Sequence, residues 1–199
     1  MHILACADIH GRPERAARVR ALVAEHAPDV VLLPGDLTHL GSGEEALTLL
    51  HALPVPVLAV PGNMDGPRAV REIGLHGGLA GESPVAIGGV TFGGPRVREA
   101  CDVIVTHEPP HGTLDLTSLR TRAGSGTVLE LLKRLRPKVL ACGHIHESAG
   151  IERLGGTLVV NCTMGDGRTA GALIDISDIE ATARLLGAGG SGRGKPPGL

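Results

Sequence analysis

The chain has 199 residues, enough for one large domain with a proper core. Its formal net charge of −2 offers no electrostatic footprint for a nucleic-acid or membrane surface. Apolar residues make up 42% of it but aromatics only 1%, so the core has to be built from Val, Leu, Ile and Ala.

The opening segment, MHILACADIH, is too short in apolar residues for a signal peptide or a membrane span, and a cytoplasmic protein is expected. Residues 2–6 read as a buried strand. Residues 13–27 read as a helix, with Pro13 in its first turn and Ala16, Val19, Leu22 and Val23 on one apolar stripe. A second strand is expected at 29–33. A helix over 44–53 follows, with Ser42 and Glu45 at capping-box spacing. A third strand is expected at 55–60 and a short helix at 68–75. Residues 84–94 then read as a hairpin turning at Gly88-Gly89. A strand at 102–106 leads into a long loop, 107–123, of a length that often carries function. A helix at 127–136, a strand at 138–142 and strand-like pieces at 150–154, 157–162, 170–176 and 179–186 complete the domain, 1–186. The Gly- and Pro-rich end, 187–199, reads as a disordered tail. Cys6, Cys101, Cys142 and Cys162 form no C-x-x-C pair and are expected as buried, reduced thiols.

The first half is βαβα and therefore parallel by expectation, and the second half mixes in hairpins. One α/β domain with two sheets and helices outside is the simplest architecture. In such sheets functional groups gather beyond the carboxyl ends of the strands. Five strands here run into Asp8-Ile9-His10, Gly35-Asp36, Gly62-Asn63-Met64-Asp65, His107 and Gly143-His144-Ile145-His146. Four of the five have a nearby glycine to turn the backbone. If the strands are neighbours, Asp8, His10, Asp36, Asn63, His107, His144 and His146 converge on one edge. One zinc ion takes about four ligands, so seven groups suit two ions ~4 Å apart with a bridging carboxylate. His144 and His146 would both reach inward, one for each metal, if their segment is extended, because residues i and i+2 then share a face. A mononuclear zinc hydrolase would leave three or more of the seven groups without a role. His2, His26, His51 and His76 fall on strand or helix faces or in a loop and are expected to be solvated or packed. His39 and His111 sit in loops beside the expected ligands.

The ordered set D-x-H, G-D, G-N-x-D, a lone His and G-H-x-H resembles the calcineurin-like metallophosphoesterase superfamily. The likeness runs from residue 8 to about 165. GHIHESAG, VVNC and HEPPHGTLD look most like the small Icc-related phosphoesterases. The resemblance implies a four-layer αββα sandwich of two mixed β-sheets flanked by helices. It implies that Asp8, His10 and His146 hold one metal, that Asn63, His107 and His144 hold the other, and that Asp36 bridges them. Mixed nitrogen and oxygen ligands suit manganese foremost, with iron, zinc, nickel or cobalt as alternatives. The implied activity is hydrolysis of a small phosphodiester, a cyclic nucleotide among them, by a metal-bridging hydroxide. The alternatives are a phosphomonoesterase on the same site and a catalytically weak scaffold for protein partners. No membrane or nucleic-acid partner is expected, and a homo-oligomer stays open. Where the family usually has a histidine after the asparagine, this chain has Met64, whose thioether carries no proton. His39 and His111 are the candidate substitutes, and Asn63 is a candidate catalytic group besides being a ligand.

Overall fold

The computed structural model describes residues 1–187. Its strands are β1 (His2–Ala5), β2 (Val30–Pro34), β3 (Val57–Val60), β4 (Val85–Ile87), β5 (Val90–Gly93), β6 (Val103–Val105), β7 (Val139–Cys142), β8 (Gly150–Leu154), β9 (Thr157–Asn161), β10 (Thr169–Ile176) and β11 (Ala181–Gly187). Its helices are α1 (Pro13–His26), α2 (Glu44–Leu47), α3 (Leu49–Ala52), α4 (Pro67–His76) and α5 (Gly126–Leu135). The strands form a five-stranded sheet ordered β11-β10-β1-β2-β3 and a six-stranded sheet ordered β4-β5-β6-β7-β9-β8. β1, β2 and β3 pair in parallel as expected, and the antiparallel β10 and β11 complete their sheet.

Strand periodicity builds the layers. Ile3, Val30 and Leu32 point from the first sheet into a core shared with Val103, Val139, Ala141 and Phe92 of the second. Their neighbours Leu4, Val31 and Leu33 point the other way, onto Ala16, Val19 and Leu22 of α1. Ile104, Leu140 and Val159 form the outer face of the second sheet and pack on Val128, Leu131 and Leu132 of α5. A side chain on every second residue thus feeds one of three cores, and the αββα sandwich follows. Phe92, the one aromatic residue in the count of Phe, Trp and Tyr, is fully buried between the sheets.

Local signals agree with the fold in most places. α1 takes Pro13 in its first turn and buries the expected stripe. Gly88 and Gly89 have φ of 54° and 83°, the pair of positive values that a tight two-residue hairpin requires. All four cysteines are free and buried. The long loop has no regular element, yet it is built around a fully buried carboxylate. Asp115 accepts from the Gly112 N–H (2.8 Å), the Gly124 N–H (3.2 Å) and Arg122 Nη1 (2.6 Å).

The helix expected over 44–53 is instead α2 and α3, broken at Thr48. Arg20 donates from α1 to the Glu45 carbonyl at 3.2 Å and to the Thr48 hydroxyl, and that hydroxyl donates to the same carbonyl at 2.7 Å. These contacts occupy the carbonyl that an unbroken helix would offer to Leu49. The Ser42–Glu45 capping box does not form, and Gly43 is the N-cap. Ser42 is instead held in a bridge with His39 (N–H to carbonyl 2.9 and 3.0 Å). The last strand is displaced from 179–186 to 181–187, so Gly187 belongs to β11. The remaining residues of the expected tail, 188–199, lie outside the described residues. Among the described residues no helix is long and apolar enough to cross a membrane.

Asp102 stitches the second sheet together. Its Oδ2 accepts from the Thr91 N–H (3.0 Å) and hydroxyl (2.7 Å), and Lys138 Nζ stands 3.3 Å from Oδ1. Partial burial pushes its pKa up, but the Thr91 hydrogen bonds and Lys138 outweigh that and leave it below the ordinary value. A depressed folded pKa contributes stability above the unfolded value of about 3.9, and the contribution is lost as pH falls through the folded value. Asp102→Asn is therefore expected to cost about 1 kcal/mol at neutral pH. Urea unfolding at pH 7 and pH 3 should show that difference shrinking in acid.

Candidate metal centre

Asp8 and His10 follow β1, Asp36 follows β2 and Asn63 follows β3, whereas His107 follows β6 and His144 and His146 follow β7. The seven groups therefore come from both sheets. They meet because the sheets are joined at this edge. The Ala7 N–H donates to the Cys162 carbonyl (3.2 Å) and the Met164 N–H to the Ala7 carbonyl (2.9 Å), pairing the exit of β1 with the exit of β9.

The groups fall into two clusters. In the first, Asp8 Oδ1 lies 3.5 Å from His146 Nε2 and 3.9 Å from His10 Nε2, and the two imidazole nitrogens are 3.2 Å apart. In the second, His107 Nε2 lies 2.9 Å from Asn63 Oδ1 and 3.1 Å from His144 Nδ1. Asp36 Oδ2 stands between them, 3.9 Å from His10 Nε2 and 3.5 Å from His107 Nε2. Ligand atoms held about 2.0–2.2 Å from one ion are themselves roughly 3–3.6 Å apart. Both clusters are near that spacing.

The electrostatics ask for cations. Asp8 and Asp36 are buried, and Asp8 Oδ1 has no hydrogen-bond partner. A buried unpaired carboxylate oxygen is costly. His107 Nδ1 faces the Pro34 carbonyl at 3.0 Å and must be the N–H donor there, which turns Nε2 toward the centre. Nε2 then faces an amide oxygen and a second imidazole, so either a proton or a metal ion has to sit among them. Burial opposes a charged His107, but its hydrogen bond to Asp36 and the charges of Asp8 and Asp36 win, and its pKa is raised. The Asp8 carboxylate, whose Oδ1 stands 3.5 Å from Nε2, raises that of His146 against its burial. His10 and His144 go the other way. Burial lowers both, and the charge of His107 adds to the drop at His144. Burial alone would push Asp8 and Asp36 up, but the imidazoles beside them, His146 and His107 respectively, keep both low. The donor set thus suits divalent cations, with protons as their competitors.

The backbone is specialised here. Asp8, His10, Asp36 and His144 all have left-handed φ, of 61°, 53°, 52° and 69°. Such values are uncommon outside glycine, though Asp and His tolerate them better than most. Arg15 Nη1 fixes the first by donating to the Asp8 carbonyl at 2.7 Å. Glycine serves space rather than turning at two points. A Cβ on Gly143 would lie 2.6 Å from Asp8 Oδ2, and one on Gly62 would lie 2.1 Å from Asp36 Oδ1. This changes the account of the G-H-x-H segment. Gly143 admits the Asp8 carboxylate, and the turn itself is made at His144. The segment is not extended, since His146 opens a 3-10 turn over His146–Ser148. The two imidazoles still face different clusters, His146 that of Asp8 and His10, His144 that of His107.

The other expected residues separate. His39 stands edge-on to His10, with ring centroids 5.9 Å apart, and shares with it a cleft of roughly 490 Å3 lined also by Arg12, Arg15, His146 and Gly165. His111 faces Asp115 instead, with Nδ1 3.7 Å from Oδ2. His2 pairs with Asp175, while His51 and His76 lie against each other. Met64 enters through its backbone, whose N–H donates to Asp36 Oδ1 at 2.7 Å. Asp65 accepts from the N–H groups of Gly62, Leu37 and Thr38 and from the Thr38 hydroxyl (2.8–3.3 Å), so it ties the two loops together. Sequence reasoning missed Arg15 and Asn161. Asn161 is fully buried and donates to the Ile145 carbonyl at 2.9 Å, steadying the chain between the paired histidines. A buried asparagine at a strand end was the available signal for it.

A model of the calcineurin-like phosphoesterases matches residues 1–148. The chain belongs to this family. An uncharacterized protein of Methanocaldococcus jannaschii, MJ1162, is 29% identical over 194 residues, covering 81% of this chain and 87% of the relative. A crystal structure of TT1561 of Thermus thermophilus superposes with a TM-score of 0.66 at 17% identity, covering 92% of this chain and 98% of that one. A structure titled as a novel archaeal phosphodiesterase gives a TM-score of 0.61 at 19% identity, covering 94% and 100%. These two share the fold with this chain. Calorimetric titration with manganese is expected to give a stoichiometry near two, and His144→Ala near one.

Proposed function

We propose that the protein is a two-metal phosphoesterase that hydrolyses a small phosphodiester. The carrying observation is the position of Asp36 Oδ2, which faces His10 of one cluster and His107 of the other at 3.9 and 3.5 Å. Asp8, His10 and His146 would hold one ion, Asn63, His107 and His144 the other, and Asp36 both. Manganese is the proposed native metal. Divalent ions in such a pair supply Lewis acidity, neutralising phosphoryl charge and activating water. Cyclic nucleotides are one substrate class of suitable size, and four free buried thiols fit a cytoplasmic setting.

The chain's own groups do the rest. Met64 carries no proton to donate. His39 is the imidazole that opens on the same cleft as His10 and His146, and it is the proposed proton donor to the leaving oxygen. His111, turned to Asp115, is placed to hold the 107–125 loop rather than to meet substrate.

Hydrolysis of bis-(p-nitrophenyl) phosphate should require added manganese and collapse in His144→Ala. Metal-bound protein inactive on every phosphodiester tried would refute the reading. His39→Ala is expected to slow alkyl esters by on the order of 10²-fold. Nitrophenyl esters, whose leaving group needs no proton, should slow far less. Equal losses on both would remove His39 as the donor.

A further inference from the structure

The cleft over His10 and His146 does not end at the metal ligands. Arg12 and Arg15 line it, and both also line an adjoining hollow of roughly 590 Å3 between α1 and residues 164–170. Arg18 joins them there, and Glu14 is the single acidic residue of that lining. A chain of net charge −2 thus gathers three arginines along the cleft and the hollow beside it.

Little of their donor capacity is used among the described residues. Arg15 gives one N–H to the Asp8 carbonyl (2.7 Å) and a longer one to the Gly165 carbonyl (3.5 Å). That anchors its guanidinium at the junction of the two spaces. Arg12 has a loose, exposed ion pair with Glu14 at 3.5 Å, which is worth little. Arg18 approaches Glu25 only to 3.8 Å, and its Nε is buried without a partner. Asp166, one of the acids whose charge reaches Arg15, is engaged by the Arg168 and Thr169 N–H groups and the Thr169 hydroxyl (2.8–3.0 Å). Planar guanidinium forks with spare N–H groups match the oxygens of a phosphate.

We propose that this groove is a subsite for a second, non-scissile phosphate, so that the substrate is a small phosphodiester bearing a further phosphate group. Arg12 is its specificity-determining residue, and Arg15 positions the groove against the Asp8 loop. The inference rests on the phosphodiesterase reading of the metal centre.

Two measurements separate the two claims. The first compares kcat/KM for thymidine 5′-(p-nitrophenyl phosphate) and for the same ester carrying a 3′-phosphate. The second compares calorimetric binding of thymidine 3′,5′-bisphosphate and thymidine 5′-monophosphate to the full chain, with and without manganese. The extra phosphate is expected to raise kcat/KM and affinity about tenfold, the scale of one charge-assisted hydrogen bond. Arg12→Ala should bring both ratios close to one, and Arg12→Lys should restore part of them. Ratios near one in the wild type, or a preference that survives Arg12→Ala, would overturn the subsite. Tighter bisphosphate binding through Arg12 without cleavage of either ester would keep the subsite and overturn the phosphodiesterase reading instead.

Discussion

Two buried carboxylates, Asp8 and Asp36, are the constraint around which this edge of the molecule is arranged. Each sits where water cannot solvate it, and each must be balanced by something positive or by donors. The backbone N–H groups of His144 and Met64 take one oxygen of each, at 3.0 and 2.7 Å. The remaining two oxygens, Asp8 Oδ1 and Asp36 Oδ2, look into the imidazole clusters. Burial pulls against ionisation, and histidine neighbours pull for it. In the protein alone the same carboxylates draw the pKa of His107 and His146 upward against burial. Divalent ions would bring more positive charge to the same oxygens.

The arrangement costs conformational strain. Four of the proposed ligands adopt left-handed backbone, each at a cost of about 1–2 kcal/mol relative to the right-handed alternative. The surroundings supply the restraint. The Asp8 carbonyl is tied to Arg15, and His10 and Asp36 are locked through the His10 N–H to the Asp36 carbonyl at 2.8 Å. Left-handed residues such as Ala27 and Arg136 also cap helices elsewhere, but at this edge four of them are proposed ligands of one centre.

Much of this was legible in the chain. Runs such as Val30–Leu33, buried on both faces, were visible as apolar strands, and the polar residues after each strand marked the edge where they meet. What the sequence concealed was of two kinds. Contacts from distant elements override local signals: Arg20 breaks the helix at Thr48, and the His39–Ser42 bridge cancels a well-spaced capping box. Backbone conformation is equally hidden. Alternation suggested an extended His144–His146, while the chain instead turns left-handed at His144. Arg12 and Arg15 carried no signal of their own, because nothing in the linear order brings residue 15 beside residue 165.

The Met64 hydrogen bond has a consequence for how this family can diversify. The fold recruits position 64 through its main chain, so the amide that steadies Asp36 is present whatever side chain follows. Structural duty and chemical duty are thus uncoupled at a single residue. A lineage can change the proton chemistry at the mouth of the centre without disturbing the geometry beneath it, and among natural residues only proline, which has no N–H to give, closes that route.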